Sequence, residues 1–104
     1  MSEQLVFRAI ADPTRRSIMS LLANGEHSLG EIASNYDMTR PAVTKHLKVL
    51  EQGGLIKVRA HGRERLHTLQ PEGLRTVSDW LRFFDQFWDE KLENLKQAVE
   101  ADDE

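Results

Sequence analysis

The chain has 104 residues, no cysteine and a net charge of -3, a length that suits one domain able to bury roughly two thirds of its unfolded surface without cross-links. The missing cysteine excludes a disulfide framework and every thiolate metal site, and it fits a reducing, cytoplasmic compartment. The longest apolar runs are a few residues, well short of the ~20 that span a bilayer, and MSEQLVFRAIADPTRR lacks the charged-then-apolar pattern of a secretory leader.

Leu5, Val6, Phe7 and Ile10 predict a short amphipathic first helix, ended before Asp12-Pro13 because the residue ahead of a proline is pushed out of the helical region. Asp12 is placed to cap a second helix with Pro13 at its first position. Ile18, Met19, Leu21 and Leu22 form its apolar face, and Asn24-Gly25 stops it. Ser28 and Glu31 make an S-x-x-E capping box that opens a third helix, expected through about Tyr36. Asp37-Met38 is the turn, Thr39 caps the fourth helix with Arg40 and Pro41 in its first turn, and Gly53-Gly54 ends it. Leu55 to Ala60 and Arg63 to Leu69 read as two strands of a hairpin, with His61-Gly62 as the tight turn. Pro71 opens a last helix that stays in register to about Val99, a single rod of roughly 30 residues and about 45 Å. The expected fold is mainly α with a small β-hairpin: a winged helix-turn-helix in the order four helices, two strands, one long helix. Residues 28–53 are its helix-turn-helix, 55–69 its wing and 71–100 its dimerisation helix, within one domain over 1–104.

Charge is distributed unevenly. From Met38 to Leu69 there are seven basic and two acidic residues, a net of +5, whereas Gln70 to Glu104 carries four basic and ten acidic ones, a net of -6. A basic block joined to an acidic helix suits a protein that docks DNA with one face and holds something else with the other. On a helical wheel of about 100° per residue, Val43, Leu47 and Leu50 cluster on one side of the fourth helix, and Pro41, Lys45 and Lys48 fall roughly opposite. Ala42 and Thr44 flank that presented face, where small side chains let backbone approach and a methyl group can meet thymine; Lys45 can reach guanine O6 or N7. Thr39 and Arg40 stand where the positive helix end favours phosphate. His46, at the edge of the core side, has two open roles: a phosphate contact, or packing with a hydrogen bond to the preceding helix. Arg59, His61, Arg63 and Arg65 surround the hairpin turn, which can straddle backbone or enter a narrow minor groove, unless its charge serves only to block edge pairing. His67 shares a strand face with Leu69 and reads as packed. Arg15 and Arg16 are open between phosphate contact and a structural ion pair.

In the last helix, Leu74, Val77, Leu81, Phe84, Trp88, Leu92, Leu95 and Val99 form one stripe, widened by Trp80, Phe83 and Phe87. So broad a strip predicts a contact with its own helices and another with a second subunit, with the first helix as companion. The expected dimer interface is Leu5, Phe7, Trp80, Phe83, Phe84, Phe87, Trp88, Lys91 and Leu95. A twofold dimer would set two reading helices about 34 Å apart on one DNA face, matching a near-palindromic operator.

Asp12-Pro13-Thr14-Arg15-Arg16, the run Met38 to Leu50 (MTRPAVTKHLKVL), Gly54-Leu55-Ile56 and Gly62-Arg63 resemble the ArsR/SmtB family of bacterial winged-helix repressors. The likeness is nearest to the cysteine-free branch often encoded beside START-like (SRPBCC) proteins. It implies a homodimeric transcriptional regulator, usually a repressor and often autoregulatory, that is nucleoid-associated when bound to DNA. By position, Arg40, Ala42, Thr44, Lys45, His46 and Lys48 match the family's reading helix, and Arg59, His61 and Arg63 its wing. The chain departs from the family's metal sensors: it has no cysteine, and His27, His46, His61 and His67 lack ligand spacing on a shared face. No metal, cofactor or membrane partner is expected, and no inducer can be named. The expected function is therefore a dimeric DNA-binding regulator without catalytic activity. A winged helix that docks proteins through its aromatic helix is the alternative, and no nucleophile-base pair or phosphate loop supports an enzyme.

Overall fold

The computed structural model describes residues 3–102. Helix α1 (Glu3–Ile10) is followed by α2 (Pro13–Leu22), whose start is fixed by Asp12: its carboxylate accepts from the backbone N-H of Thr14 at 2.8 Å and of Arg15 at 3.2 Å. A two-residue strand β1 (His27–Ser28) leads into α3 (Leu29–Ala33), and α4 (Arg40–Gln52) follows the turn. Strands β2 (Ile56–His61) and β3 (Glu64–Leu69) form the hairpin, and a 3-10 turn at Pro71–Leu74 precedes α5 (Arg75–Phe83) and α6 (Asp85–Asp102). The chain is mainly helical, as expected, with the sheet set beside the helix-turn-helix.

Four features differ from the sequence expectation. The sheet has three strands, not two: β1 pairs antiparallel with β3, giving the order β1-β3-β2, with His27 opposite His67 and Ser28 opposite Leu66. Helix α3 stops at Ala33 rather than near Tyr36, because the hydroxyl of Ser34 at 2.7 Å and the amide of Asn35 at 2.9 Å both donate to the Glu31 carbonyl, competing with the helical ladder. The hairpin turns on Gly62-Arg63, since His61 already pairs with Glu64. Gly62 has φ +63° and no described non-glycine residue has a positive φ, the pattern of a type II′ turn. The single C-terminal rod is broken at Phe84, whose N-H bonds to the Leu81 carbonyl at 2.9 Å in a tightened turn, and Asp85 restarts the helix with an acid at its positive end.

One core joins Val6 and Ala9 of α1, Ile18, Met19 and Leu22 of α2, Ile32 of α3, Val43, Leu47 and Leu50 of α4, and Leu55 and Ile56 at the base of the wing. Among the described residues from Pro71 onward, only Leu74 of the 3-10 turn and Val77 of α5 pack against it, and none of the described side chains of α5 or α6 is buried. The rest of the predicted stripe therefore lies outside the core of this chain. The 3-10 turn is seated by Gly73, where an added Cβ would collide with the Gly54 carbonyl and stand 3.2 Å from Leu55. Overpacking at such a site typically costs about 1 to 3 kcal/mol. Gly73→Ala should accordingly lower the thermal midpoint measurably; a variant that melts like the parent chain would show that the turn shifts freely.

Candidate nucleic-acid interface

Helix α4 divides into two faces by its own periodicity. Val43 and Leu50 are fully buried and Leu47 nearly so, while Pro41, Thr44, Lys45 and Lys48 are exposed and Ala42 is half-buried. Thr39 caps the helix, its hydroxyl accepting from the Ala42 N-H at 3.3 Å, so Arg40 and Pro41 lead at the positive helix end. Arg40 lies across the start of α3: its guanidinium stands 3.4 Å from where a Cβ on Gly30 would be, an ordinary van der Waals distance.

A cleft of about 590 Å³ separates the exposed face of α4 from the wing. It is lined by Ser28, Leu29 and Gly30 at the head of α3, by Arg40, Thr44, Leu47, Lys48 and Glu51 of α4, and by Val58, Arg63, Glu64, Arg65 and His67 of the sheet. Four cations and two carboxylates thus face a shared hollow. None of Arg40, Lys45, Lys48, Arg63 and Arg65 forms an ion pair among the described residues, which leaves five positive groups without an internal counter-charge on one side of the molecule. Such a surface binds polyanions by displacing their counterions.

Comparison with known proteins agrees. A helix-turn-helix domain family matches residues 10–59. The HTH-type transcriptional regulator Rv2034 of Mycobacterium tuberculosis is 37% identical over 101 residues, covering 97% of this chain and 92% of that protein. The transcriptional repressor SdpR of Bacillus subtilis is 34% identical over 76% of this chain and 88% of its own length. Among solved structures, an ArsR family transcriptional regulator superimposes with a TM-score of 0.76 at 34% identity, covering 83% of this chain and 94% of that one. A homodimeric winged helix-turn-helix DNA-binding domain of Mycobacterium bovis superimposes with a TM-score of 0.65 at 26% identity, covering 80% of this chain and 78% of that one. The chain belongs to the ArsR/SmtB-type winged helix-turn-helix transcriptional regulators. That membership agrees with the resemblance read from its motifs, and these relatives are regulators rather than enzymes.

Within this ArsR-type frame the predicted residues separate. Thr39, Arg40, Pro41, Ala42, Thr44, Lys45 and Lys48 lie together on the outer side of α4, and Arg63 and Arg65 stand across the cleft. Arg59 and His61 do not join them. The pairing register puts Lys57, Arg59 and His61 on the opposite face of the pleat from Val58 and Ala60, and Arg59 is held there by Glu26. His46 is half-buried, with Nδ1 3.2 Å from Nη1 of Arg15, a residue of α2 and not of the helix that precedes α4. Arg15 also donates to the carbonyls of Ala9 at 2.8 Å and Arg8 at 2.9 Å, and Arg16 donates to that of Ile10 at 2.7 Å. Both arginines thus close the C-terminus of α1, a role that no motif at Pro13-Thr14 advertised. Sequence reasoning also missed Glu26, whose partner Arg59 lies 33 positions away.

Among the described residues, no group of three or more His, Cys, Asp or Glu could hold a metal ion, and no helix is long and apolar enough to cross a membrane. His67 lies at the foot of the wing, buried, with Nδ1 3.2 Å from the His27 carbonyl. Burial pushes its pKa below the ordinary value for imidazole, against the opposing pull of the His27 carbonyl and Glu51. A histidine whose folded pKa is depressed stabilises the fold while neutral, and that contribution is lost as pH falls from about 6.5 through the lowered folded value. Melting between pH 7 and pH 5 should therefore fall more steeply in the parent chain than in His67→Gln; parallel falls would remove His67 from the pH response.

Proposed function

We propose that this protein is a homodimeric, cytoplasmic transcriptional repressor that binds a near-palindromic operator and acts by occupying a promoter. The observation that carries the reading is the set of five exposed cations, Arg40, Lys45, Lys48, Arg63 and Arg65, on α4 and the wing, with no ion-pair partner among the described residues. In the proposed complex α4 enters the major groove by its N-terminal end. Thr39 and Arg40 hold phosphate, and Ala42, Thr44 and Lys45 meet base edges beside Pro41. Arg63 and Arg65 take the backbone on the far side of the cleft. Repression is supported by the likeness to SdpR, a named repressor. Control of its own promoter, and a gene neighbour of the SRPBCC class, belong to the same proposal and rest on the resemblance alone.

Dimerisation is supported by the exposed apolar face of the last helices and by the homodimeric relative of Mycobacterium bovis. Phe7 and Trp80 meet edge-to-face at 5.4 Å, Trp80 and Phe84 at 5.2 Å, and Phe83 and Phe84 at 5.0 Å, so that α1 and α5 share one aromatic cluster. Leu5, Phe7 and Phe84 are half-buried. Trp80, Phe83, Phe87, Trp88, Lys91 and Leu95 are exposed, with Trp88 at 66% and Phe83 at 60%. A second copy laid along this face would cover those rings.

Footprinting on the promoter upstream of the gene tests the whole reading. Lys45→Ala should relax base preference at one position by about 1 to 3 kcal/mol, whereas Arg63→Ala should weaken all duplexes alike and reduce the salt slope by about one. Unchanged titrations for both variants at two salt concentrations would refute the assignment. For the dimer, Phe83→Glu combined with Phe87→Glu should yield monomer in sedimentation at concentrations where the parent chain is dimeric. A doubly substituted protein that stays dimeric would place the seam elsewhere.

A further inference from the structure

The back face of the wing carries a three-stranded clasp. Arg59 of β2 donates from Nε to one oxygen of Glu26 at 2.9 Å and from Nη2 to the other at 2.8 Å, and the hydroxyl of Thr68 on β3 donates to the first of these oxygens at 3.0 Å. Glu26 itself directly precedes β1, so one carboxylate binds across the whole sheet. The Arg59 bond holds the Glu26 carboxyl below its ordinary range and raises the guanidinium in turn. Both groups are reached by water, with the Arg59 side chain 54% exposed, so the pair contributes little to stability. Its chemistry is more telling than its energy. A planar fork closed on two oxygens of a carboxylate is the same arrangement that arginine makes with two oxygens of a phosphodiester. Arg59 also stands two positions before His61, about 7 Å from the end of the strand at the tip, within the reach of its own side chain.

We propose that Glu26 is an internal substitute for DNA phosphate that withholds Arg59 from the duplex. The proposal rests on the DNA-binding reading above. Backbone contacts strengthen binding to every sequence equally, so a wing with one guanidinium occupied leaves a larger share of the affinity to base contacts made by α4. Glu26 is in this sense a specificity-determining positioning residue, acting through Arg59 and not touching DNA.

The test compares the full-length parent chain with Glu26→Gln, Arg59→Ala and the double variant, each titrated with random-sequence duplex over a salt series, after thermal melts have shown that all four fold. Glu26→Gln keeps the side chain's size and an oxygen for Thr68 but loses the charge that holds the fork. Glu26→Gln should bind random duplex severalfold more tightly, with a salt slope steeper by about 0.9, the increment of one added phosphate contact. Arg59→Ala, which leaves the Glu26 carboxylate unpaired, should bind no more tightly than the parent, and the double variant, neutral like the closed pair, should match the parent in affinity and slope. Weaker or unchanged binding by Glu26→Gln, or a double variant that binds as tightly as Glu26→Gln, would overturn the proposal. A parent chain that shows no salt-dependent binding of duplex would overturn the DNA-binding reading itself, a result separate from failure of the clasp.

Discussion

Ser28 is the joint on which the arrangement turns. It ends β1, pairing with Leu66, and in the same position caps α3: its hydroxyl accepts from the Glu31 N-H at 3.2 Å while its own N-H donates to the Glu31 carboxylate at 2.9 Å. That reciprocal cap keeps Glu31 ionised below the ordinary carboxylate range, first through the Ser28 backbone N-H and then through its hydroxyl. Because one buried residue serves both the sheet and the helix, the wing cannot change its inclination without disturbing the first helix of the helix-turn-helix. The cleft between α4 and the wing inherits its width from this joint, and Ser28 lines it.

Two groups among the cations of this chain have different fates. Arg15, Arg16 and Arg59 are engaged by carbonyls or carboxylate within the chain, while Arg40, Lys45, Lys48, Arg63 and Arg65 face outward without such partners. A charge count along the sequence treats all of them alike. The geometry does not, because an arginine that closes a helix C-terminus satisfies groups which otherwise would lose their hydrogen bonds, and its release to bind DNA would leave them exposed. Of these two groups, the outward one is available to a polyanion without such a loss.

Local rules made much of this legible beforehand. Asp12, Ser28 and Thr39 each cap within three residues of their own position, and the period of Val43, Leu47 and Leu50 identifies the buried side of α4 from spacing alone. What escaped were consequences of tertiary contact. Two residues of β1 carry no strand signal, and their pairing partners lie about forty positions onward in β3. Glu26 and Arg59 are 33 positions apart, Arg15 and His46 are 31 apart, and neither pairing has a pattern to find. The interruption at Phe84 has no proline or glycine to mark it. On the C-terminal helices the composition was readable and the register was not: the stripe drawn through one continuous rod crosses a tightened turn, so residues on either side of it no longer share the assumed angular relation.

The aromatic seam and the reading helix are connected by a short series of packed parts. Phe7 holds Trp80 of α5 to α1; the C-terminal carbonyls of α1 are closed by Arg15 and Arg16 of α2; and Arg15 reaches His46 on α4. The backbone of α1 also presses on the far end of α4, where an added Cβ at Gly53 would stand 3.2 Å from the Leu5 carbonyl. Helix α4 is therefore held against α1 near its middle and at its end. In a twofold assembly through α1 and α5, the separation of the two reading helices would be set by these contacts rather than by a flexible linker. Recognition of the proposed near-palindromic operator would need such stiffness, since half-sites one helical turn apart, about 34 Å, would have to be met by both helices at once. A seam that positions α1 also positions α4, so the aromatic face and the basic face are two ends of one mechanical unit.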